Sequence, residues 1–405
     1  VGAHTYRESF TVREVSIIIG LGYGDEGKGS IVDFLTRRTQ TSLVVRYNGG
    51  AQAAHNVITP EGQHHTFAQF GSGTFLEGSA TLLSQYMLVN PLNLYTEGRH
   101  LVEIGVPNVW DRMFIDERAK IITPWHVMAN RAREGARGDN RHGSCGQGIG
   151  ETMSDYLNGT YVTVANLMDS PDNLKKQLKN IREFKRAQLV SDIGVGFPEQ
   201  NTEEEEEYLN NVVSLYMTMP ETVHIVDDEQ IERLFEKPEQ IIFEGAQGIL
   251  LDQNHGWHPY TTWSDTTKYN AEQLMLDYGC TGDKVKTIGV TRAYATRHGI
   301  GPLPTENNQT GGVEAHNIED KWQGSFRIGA FDKITFEYAL RASGGVDELA
   351  VTCLDQVSIH EQYVCTSYSH EPTQTTVINI EFRDEPNLQR QEKISQFLME
   401  VEPLY

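Results

Sequence analysis

Apolar residues in this chain fall in short runs, separated by glycine-rich turns and by stretches with helical periodicity. A largely apolar run over 15–19 reads as a buried parallel strand, and Ile31, Val32, Phe34 and Leu35 open an amphipathic helix. Strand-like runs recur at 43–45, 223–226, 241–243, 285–290 and 349–354, alternating with helical stretches such as 127–133, 174–189 and 336–342. That alternation predicts an α/β fold on a large, mostly parallel, doubly wound sheet. The glutamate run Glu203 to Glu207 is expected to be a solvated face, or a loop ahead of a helix over 208–216. No internal repeat and no Pro- or Ser-rich linker interrupts the pattern, so residues 12–405 read as one continuous domain. Residues 1–11 read as a cloning remnant or a disordered leader, and the segment from Glu371 onward carries no motif.

The turn between the first strand and its helix, Gly20-Leu21-Gly22-Tyr23-Gly24-Asp25-Glu26-Gly27-Lys28-Gly29-Ser30, is dense in glycine. Such a turn lets backbone N–H groups and a helix N-terminus converge on phosphate oxygens. Gly22 to Lys28 fits G-x-x-x-x-G-K, although Gly29 stands where a magnesium-binding Ser or Thr is usual and Ser30 comes one place late. Asp25 and Glu26 would repel a phosphate unless a metal or a proton transfer uses them. The same glycines match G-x-G-x-x-G, the dinucleotide fingerprint, which expects an acid about 20 residues on. Arg46 stands there instead. A dehydrogenase is disfavoured, and a 2′-phosphate-binding variant stays open.

Composition narrows the classes. A net charge of −22 and a pI near 5.0 argue against nucleic acid or an anionic membrane as partner. Mean hydropathy is −0.45 and no apolar run approaches a membrane span. Cys145, Cys280, Cys353 and Cys365 form no CxxC pair and no disulfide framework, which points to the reducing cytoplasm.

Three further segments carry candidate chemistry. Arg46-Tyr47-Asn48-Gly49-Gly50-Ala51-Gln52-Ala53-Ala54-His55-Asn56 combines close backbone approach with one imidazole, although His55 taken alone reads more often as a structural histidine. Gly143-Ser144-Cys145-Gly146-Gln147-Gly148 is a glycine loop with hydroxyl and thiol donors. Phe243-Glu244-Gly245-Ala246-Gln247-Gly248 delivers Glu244 and Gln247 to the carboxyl edge of the sheet, where open α/β folds bind ligands.

In order, these segments resemble adenylosuccinate synthetases, together with Leu250-Leu251-Asp252, Pro259-Tyr260-Thr261-Thr262, Ala293-Tyr294-Ala295-Thr296-Arg297 and Gly301-Pro302-Leu303-Pro304-Thr305-Glu306. The resemblance spans about residues 15 to 357. It implies a cytoplasmic, usually homodimeric carbon–nitrogen ligase with a fold related to phosphate-loop nucleotidases. Members use GTP to phosphorylate the 6-oxo group of IMP and displace that phosphate with aspartate. By resemblance Asp25 is the base at N1 and a Mg2+ ligand, with the Ala54 carbonyl as a second ligand, and His55 is the general acid near O6. Lys28 stabilises the transferring phosphoryl group beside Gly24, Glu26, Gly27, Gly29 and Ser30. Gln52, Gln247 and Thr262 hold the nucleotide, Ser144 and Cys145 its 5′-phosphate, and Asp355 the guanine.

Departures from the family gather around the substrates. The arginine-rich loop that grips aspartate reads Asp320-Lys321-Trp322-Gln323-Gly324-Ser325-Phe326-Arg327, leaving Arg327 and Lys321 as cations. Tyr156-Leu157-Asn158-Gly159-Thr160 lacks the arginine a neighbouring subunit lends to the 5′-phosphate, and Thr352-Cys353-Leu354-Asp355 keeps a carboxylate without its lysine. The C-terminal part is shortened, without the Ser-Thr-Gly-Pro segment of the base pocket. Gln52 replaces Asn, and Ala54 replaces Gly. The alternatives are a specialised homologue with another amine, another purine nucleotide or ATP, such as a phage aminoadenylosuccinate synthetase, and a non-catalytic nucleotide-binding regulator. That phage relative has lost the catalytic aspartate, whereas Asp25 persists here.

Overall fold

A computed structural model describes residues 13–138, 143–197, 201–280, 283–307, 322, 324–358 and 363–405. Its centre is a parallel sheet of eight strands: β1 (Glu14–Gly20), β2 (Ser42–Arg46), β3 (Ser79–Leu83), β4 (Met113–Asp116), β5 (His224–Val226), β6 (Gln240–Glu244), β7 (Lys284–Arg292) and β8 (Glu348–Thr352). Across the sheet they run β8-β7-β1-β6-β2-β3-β4-β5. The expected parallel α/β architecture is therefore the observed one. The strands β3 and β4 escaped the sequence reading because each is short and carries polar residues among its apolar ones.

Burial on both faces explains the continuous apolar runs. In β1, Ile17 and Ile19 join one core cluster, and Ile18 points the other way, to Val44, Ile242, Ile288 and Val290 and to Val32 and Leu35 of α1 (Lys28–Thr36). Each such side chain contributes about 1.5–3 kcal/mol when fully buried. A second cluster packs β3 and β4 against α2 (Pro124–Arg137), α4 (Pro171–Ile193) and α5 (Thr202–Met217), with α3 (Ile149–Leu157) beside α2.

The glutamate run is corrected from a segment preceding a helix to the first turns of α5. Asn201 accepts the Glu204 N–H, and the Glu204 carboxylate returns to the Asn201 N–H. Acidic side chains there also suit the helix dipole. Beyond Glu371, helix Leu388–Leu398 and two short strands that pair antiparallel with Ser367–His370 bring Leu398 and Val401 into the main core beside Tyr368.

What matters for chemistry is the carboxyl edge. The chain leaves β1 through the glycine loop, crosses in α1 and returns in β2, two places away, with β6 between them. The ends of β1, β2, β6, β7 and β8 therefore surround the loop, at the kind of crevice where open sheets bind ligands.

Candidate active site

The loop after β1 is folded around its own ions. Lys28 opens α1 with its side chain fully buried, and its Nζ donates to Glu26 Oε2 at 2.8 Å and to the Gly24 carbonyl at 3.0 Å. Glu26 Oε1 accepts the N–H groups of Gly22 and Gly24 at 2.9 and 2.8 Å. Glu26, expected to help bind a phosphate, is thus itself the anion that the lysine and two loop amides hold. Gly24 and Gly27 adopt φ of 111° and 89°, which glycine alone tolerates easily. Gly27 caps α1 without a side chain, leaving its first N–H groups to a ligand. At Gly29 any side chain would collide, since a Cβ would lie 2.8 Å from His55 Cβ. Ser30 is exposed, with its hydroxyl 3.4 Å from the Asn56 carbonyl.

That close approach seats His55 beside the start of α1. His55 begins the hairpin His55–Ile58 with His64–Phe67, and its Nδ1 lies 2.5 Å from Oε1 of Glu244, the last residue of β6. Ser72 completes the carboxylate's shell, giving its N–H to Oε2 at 2.9 Å and its hydroxyl to Oε1. Burial acts to raise the Glu244 pKa, but His55, Arg46 and Ser72 together hold it at about 2. An ionised carboxylate only accepts, so His55 Nδ1 is the donor and Nε2 is left for substrate. Burial also pulls His55 below its ordinary value, more than Glu244 raises it, so the ring is neutral at pH 7.

Asp25 lies on the other side of the loop. Its side chain is 22% exposed, with Oδ2 3.6 Å from His298 Nε2. Arg292, ending β7, donates from Nε to the Asp25 carbonyl at 2.5 Å. Burial raises the Asp25 pKa and Glu26 adds to this, while His298, Arg292 and Lys28 oppose it. A carboxylate displaced toward neutrality is a better proton acceptor at working pH. Asp25 and the carbonyl of the exposed Ala54 are hard oxygen donors of the type Mg2+ takes. Among the described residues no three His, Cys, Asp or Glu side chains form a metal cage.

Two buried amides lie next to the loop. A Cβ on Gly49 would lie 3.2 Å from Gln247 Oε1 and 3.5 Å from Gln52 Nε2. Both amide atoms of Gln52 and Oε1 of Gln247 are buried without a hydrogen-bond partner among the described residues. Such groups are costly unless a ligand engages them. Asn48 clasps the backbone of Ala246 beside them, donating to its carbonyl at 3.1 Å and accepting its N–H at 2.7 Å. Nearby, Asn130 of α2 donates to the Ser144 hydroxyl at 2.8 Å and accepts the Gly148 N–H at 3.1 Å, fixing the 143–148 loop at the uncapped start of α3. Cys145 shares that loop and is half-buried. Thr262 is half-buried, its N–H bonded to the Leu251 carbonyl at 2.8 Å, and the adjacent Trp263 lies over Gly150.

Arg327 and Asp355 stand in different settings. Arg327 directs Nη1 to the carbonyls of Gly299 and Gly301 at 2.9 and 2.8 Å, and Nε and Nη2 to Glu306. It holds a turn. Asp355 sits exposed on the short helix Leu354–Ser358 after β8, which is tied to the glycine loop where Thr352 Oγ1 donates to the Glu26 carbonyl at 2.6 Å. Lys321 and residues 1–11 lie outside the described residues. Asp252 is structural, accepting the N–H groups of Asn254, His255 and Thr266.

The adenylosuccinate synthetase family model matches residues 17–397. This chain belongs to the adenylosuccinate synthetase family. The enzyme of Chlorobium chlorochromatii is 32% identical over 366 residues, covering 87% of this chain and 79% of the relative. The adenylosuccinate synthetase of a Marinomonas species is 33% identical over 372 residues, covering 88% and 80%. Among solved structures, the fully ligated adenylosuccinate synthetase of Plasmodium falciparum superposes with a TM-score of 0.75 at 22% identity, covering 98% of this chain and 87% of that one. Cyanophage S-2L succinoaminodeoxyadenylate synthetase, bound to dGMP and dATP, gives 0.50 at 16% identity, covering 95% and 99%. These two share the fold.

As a member of the adenylosuccinate synthetase family the protein is a carbon–nitrogen ligase. Among the described residues no helix is long and apolar enough to cross a membrane. Sequence reasoning placed Glu244 at the sheet edge without its role, and overlooked Ser72, His298 and Arg292. Only strand register shows that Glu244 backs His55, and an isolated serine or histidine carries no periodic signal.

Proposed function

We propose that this protein joins IMP to aspartate with hydrolysis of GTP, releasing adenylosuccinate, GDP and phosphate. The observation that supports this best is a carboxylate, a buried lysine and a carboxylate-backed imidazole around one glycine loop. Lys28 acts electrostatically on both Asp25 and His55. Asp25 takes the N1 proton, which makes O6 nucleophilic toward the γ-phosphorus of GTP. The bond from that phosphorus to GDP breaks as the bond to O6 forms. Lys28 and the first N–H groups of α1 stabilise the charge on the transferring group. The amine then attacks C6, losing a proton to solvent, and the C6–O6 bond breaks as the 6-phosphate leaves.

His55 serves as acid at O6. The ring, neutral with its proton on Nδ1, takes a proton from solvent at Nε2 as the anionic group arrives. Glu244 balances that imidazolium, and giving the Nε2 proton to the departing 6-phosphate through O6 restores the neutral ring held at Nδ1. Gln52, Gln247 and Thr262 would bind the purine nucleotide, Ser144 and Cys145 its 5′-phosphate, and Asp355 the donor base. Asp25 and the Ala54 carbonyl would hold Mg2+, which supplies charge neutralisation on the phosphates when bound. A homodimer in the cytoplasm accords with the family.

A second reading, another amine in place of aspartate, is favoured by one observation: Arg327 is occupied by Glu306 and two backbone carbonyls. A phosphate-release assay crossing IMP, dGMP and other 6-oxo purine nucleotides with aspartate and other amines, and GTP with ATP, tests both. Release that requires IMP, aspartate and GTP together is expected. Release with a different amine selects the second reading, and none with any combination removes both.

A further inference from the structure

Arg46, the last residue of β2, is fully buried and stands in register with Glu244 at the end of β6. Its Nη1 donates to the carbonyls of Ala68 and Phe70 at 3.1 and 3.2 Å. The N–H groups of that same stretch, at Ala68, Gln69 and Phe70, go to the Glu97 carboxylate at 2.9, 2.8 and 3.2 Å. Arg46 and Glu97 thus grip one short segment by its carbonyls and its amides respectively. Two residues further on, Ser72 delivers its N–H and hydroxyl to Glu244.

The remaining nitrogens, Nε and Nη2, are buried with no hydrogen-bond partner among the described residues. A guanidinium buried in this way is expensive, and a methionine would fill the space without that penalty. The positive charge therefore has work to do where it lies. Glu244, the register partner of Arg46 across the strand pair, responds to it: Arg46 pulls that carboxylate downward in pKa.

We infer that Arg46 is a positioning residue for the acid half of the site, holding the 68–72 segment and the Glu244 carboxylate so that Glu244 fixes His55. The inference rests on the reading of His55 as general acid. Arg46 touches no substrate; it acts through Glu244. The chain of contacts runs from Arg46 to the 68–70 backbone, to Ser72, to Glu244 and to His55 Nδ1.

Arg46→Met and Arg46→Lys, each alone and combined with Glu244→Gln, test this in the phosphate-release assay, with kcat and the KM for the nucleotide measured separately. Arg46→Met is expected to lower kcat by about 10²-fold while KM changes less than about threefold, because the ring is disordered but the two buried amides are not. Arg46→Lys keeps the charge without the fork and should fall between Arg46→Met and the wild type. In the Glu244→Gln background the further loss from Arg46→Met should shrink to within about threefold, since partners in one network are not additive. Equal losses in both backgrounds, a loss confined to KM, or an unchanged kcat would overturn the inference. If Arg46→Met does not fold, as judged by thermal melting and GTP binding, the lysine variant carries the same comparison. His55→Ala separates the two levels. If it retains turnover, the reading of the acid fails; if it is inactive while the Arg46 variants lose nothing, only this inference fails.

Discussion

Glu244 Oε1 meets His55 Nδ1 at 2.5 Å, joining residues 189 positions apart in the chain. The carboxylate ends β6 and the imidazole starts a hairpin beside α1, so the pair exists only when the sheet has formed with this register. Its effect is to fix which ring nitrogen carries a proton.

His55→Ala and Asp25→Asn should each lower kcat by about 10²–10⁴-fold and leave nucleotide affinity within about tenfold, because proton-transfer groups act mainly in the transition state. Glu244→Gln should cost less than His55→Ala, since the ring remains. Steady-state kinetics with titration calorimetry checks all three. Full turnover in both His55→Ala and Asp25→Asn would remove the acid–base assignment.

Much of this site was legible in the chain, for a physical reason. Glycine turns, the loop lysine and the strand-end motifs are local in sequence, and their order along the chain places them on one sheet edge. Glu26, Arg327 and Arg46 show where that logic stops. Whether the Glu26 carboxylate meets a phosphate or folds back onto Lys28 depends on side-chain direction. Arg327 pairs with Glu306 because Glu306 forms an antiparallel bridge with Gly329, two residues along from Arg327, which no local pattern encodes. The helical start at Thr202 was obscured for another reason: charge density suggests solvent exposure but does not distinguish a loop from a capped first turn.

Glu26 competes for the groups a phosphate needs. Replacing it with glutamine removes the charge that holds Lys28 and the N–H groups of Gly22 and Gly24. GTP should then bind about tenfold tighter, on the scale of one charge-assisted hydrogen bond no longer displaced. Calorimetry on Glu26→Gln decides the matter; weaker binding would make Glu26 a supporting part of the cradle instead.

Acid should destabilise the protein through the same pair that shapes the acid group. Glu244 is held at about 2, down from 4.5, so its stabilising contribution is complete above pH 4.5 and is lost as pH falls toward 2. The shift corresponds to about 3 kcal/mol at most. His55, lowered by burial, adds a loss that begins as pH falls below 6.5, where the unfolded ring takes up its proton. Thermal melts from pH 7 to pH 3 should show a steep decline that is shallower in Glu244→Gln. Identical slopes would mean that the carboxylate titrates normally in the fold.

Arg327 and Glu306 should behave as one unit. Because the guanidinium bridges Glu306 and the carbonyls of Gly299 and Gly301, Arg327→Ala and Glu306→Ala should both raise the aspartate KM and lower the melting temperature. A direct clamp on the substrate carboxylate would separate them: Arg327→Ala would raise the KM, and Glu306→Ala, by freeing the cation, would lower it.

In the proposed reaction the 6-oxo oxygen is activated by phosphorylation before the amine displaces it. The direct test is IMP labelled with ¹⁸O at O6, turned over with GTP and aspartate, and mass analysis of the phosphate released. The ¹⁸O should leave the purine and appear in phosphate, with one label per turnover. Unlabelled phosphate, with ¹⁸O found in water or retained on the purine, would contradict it.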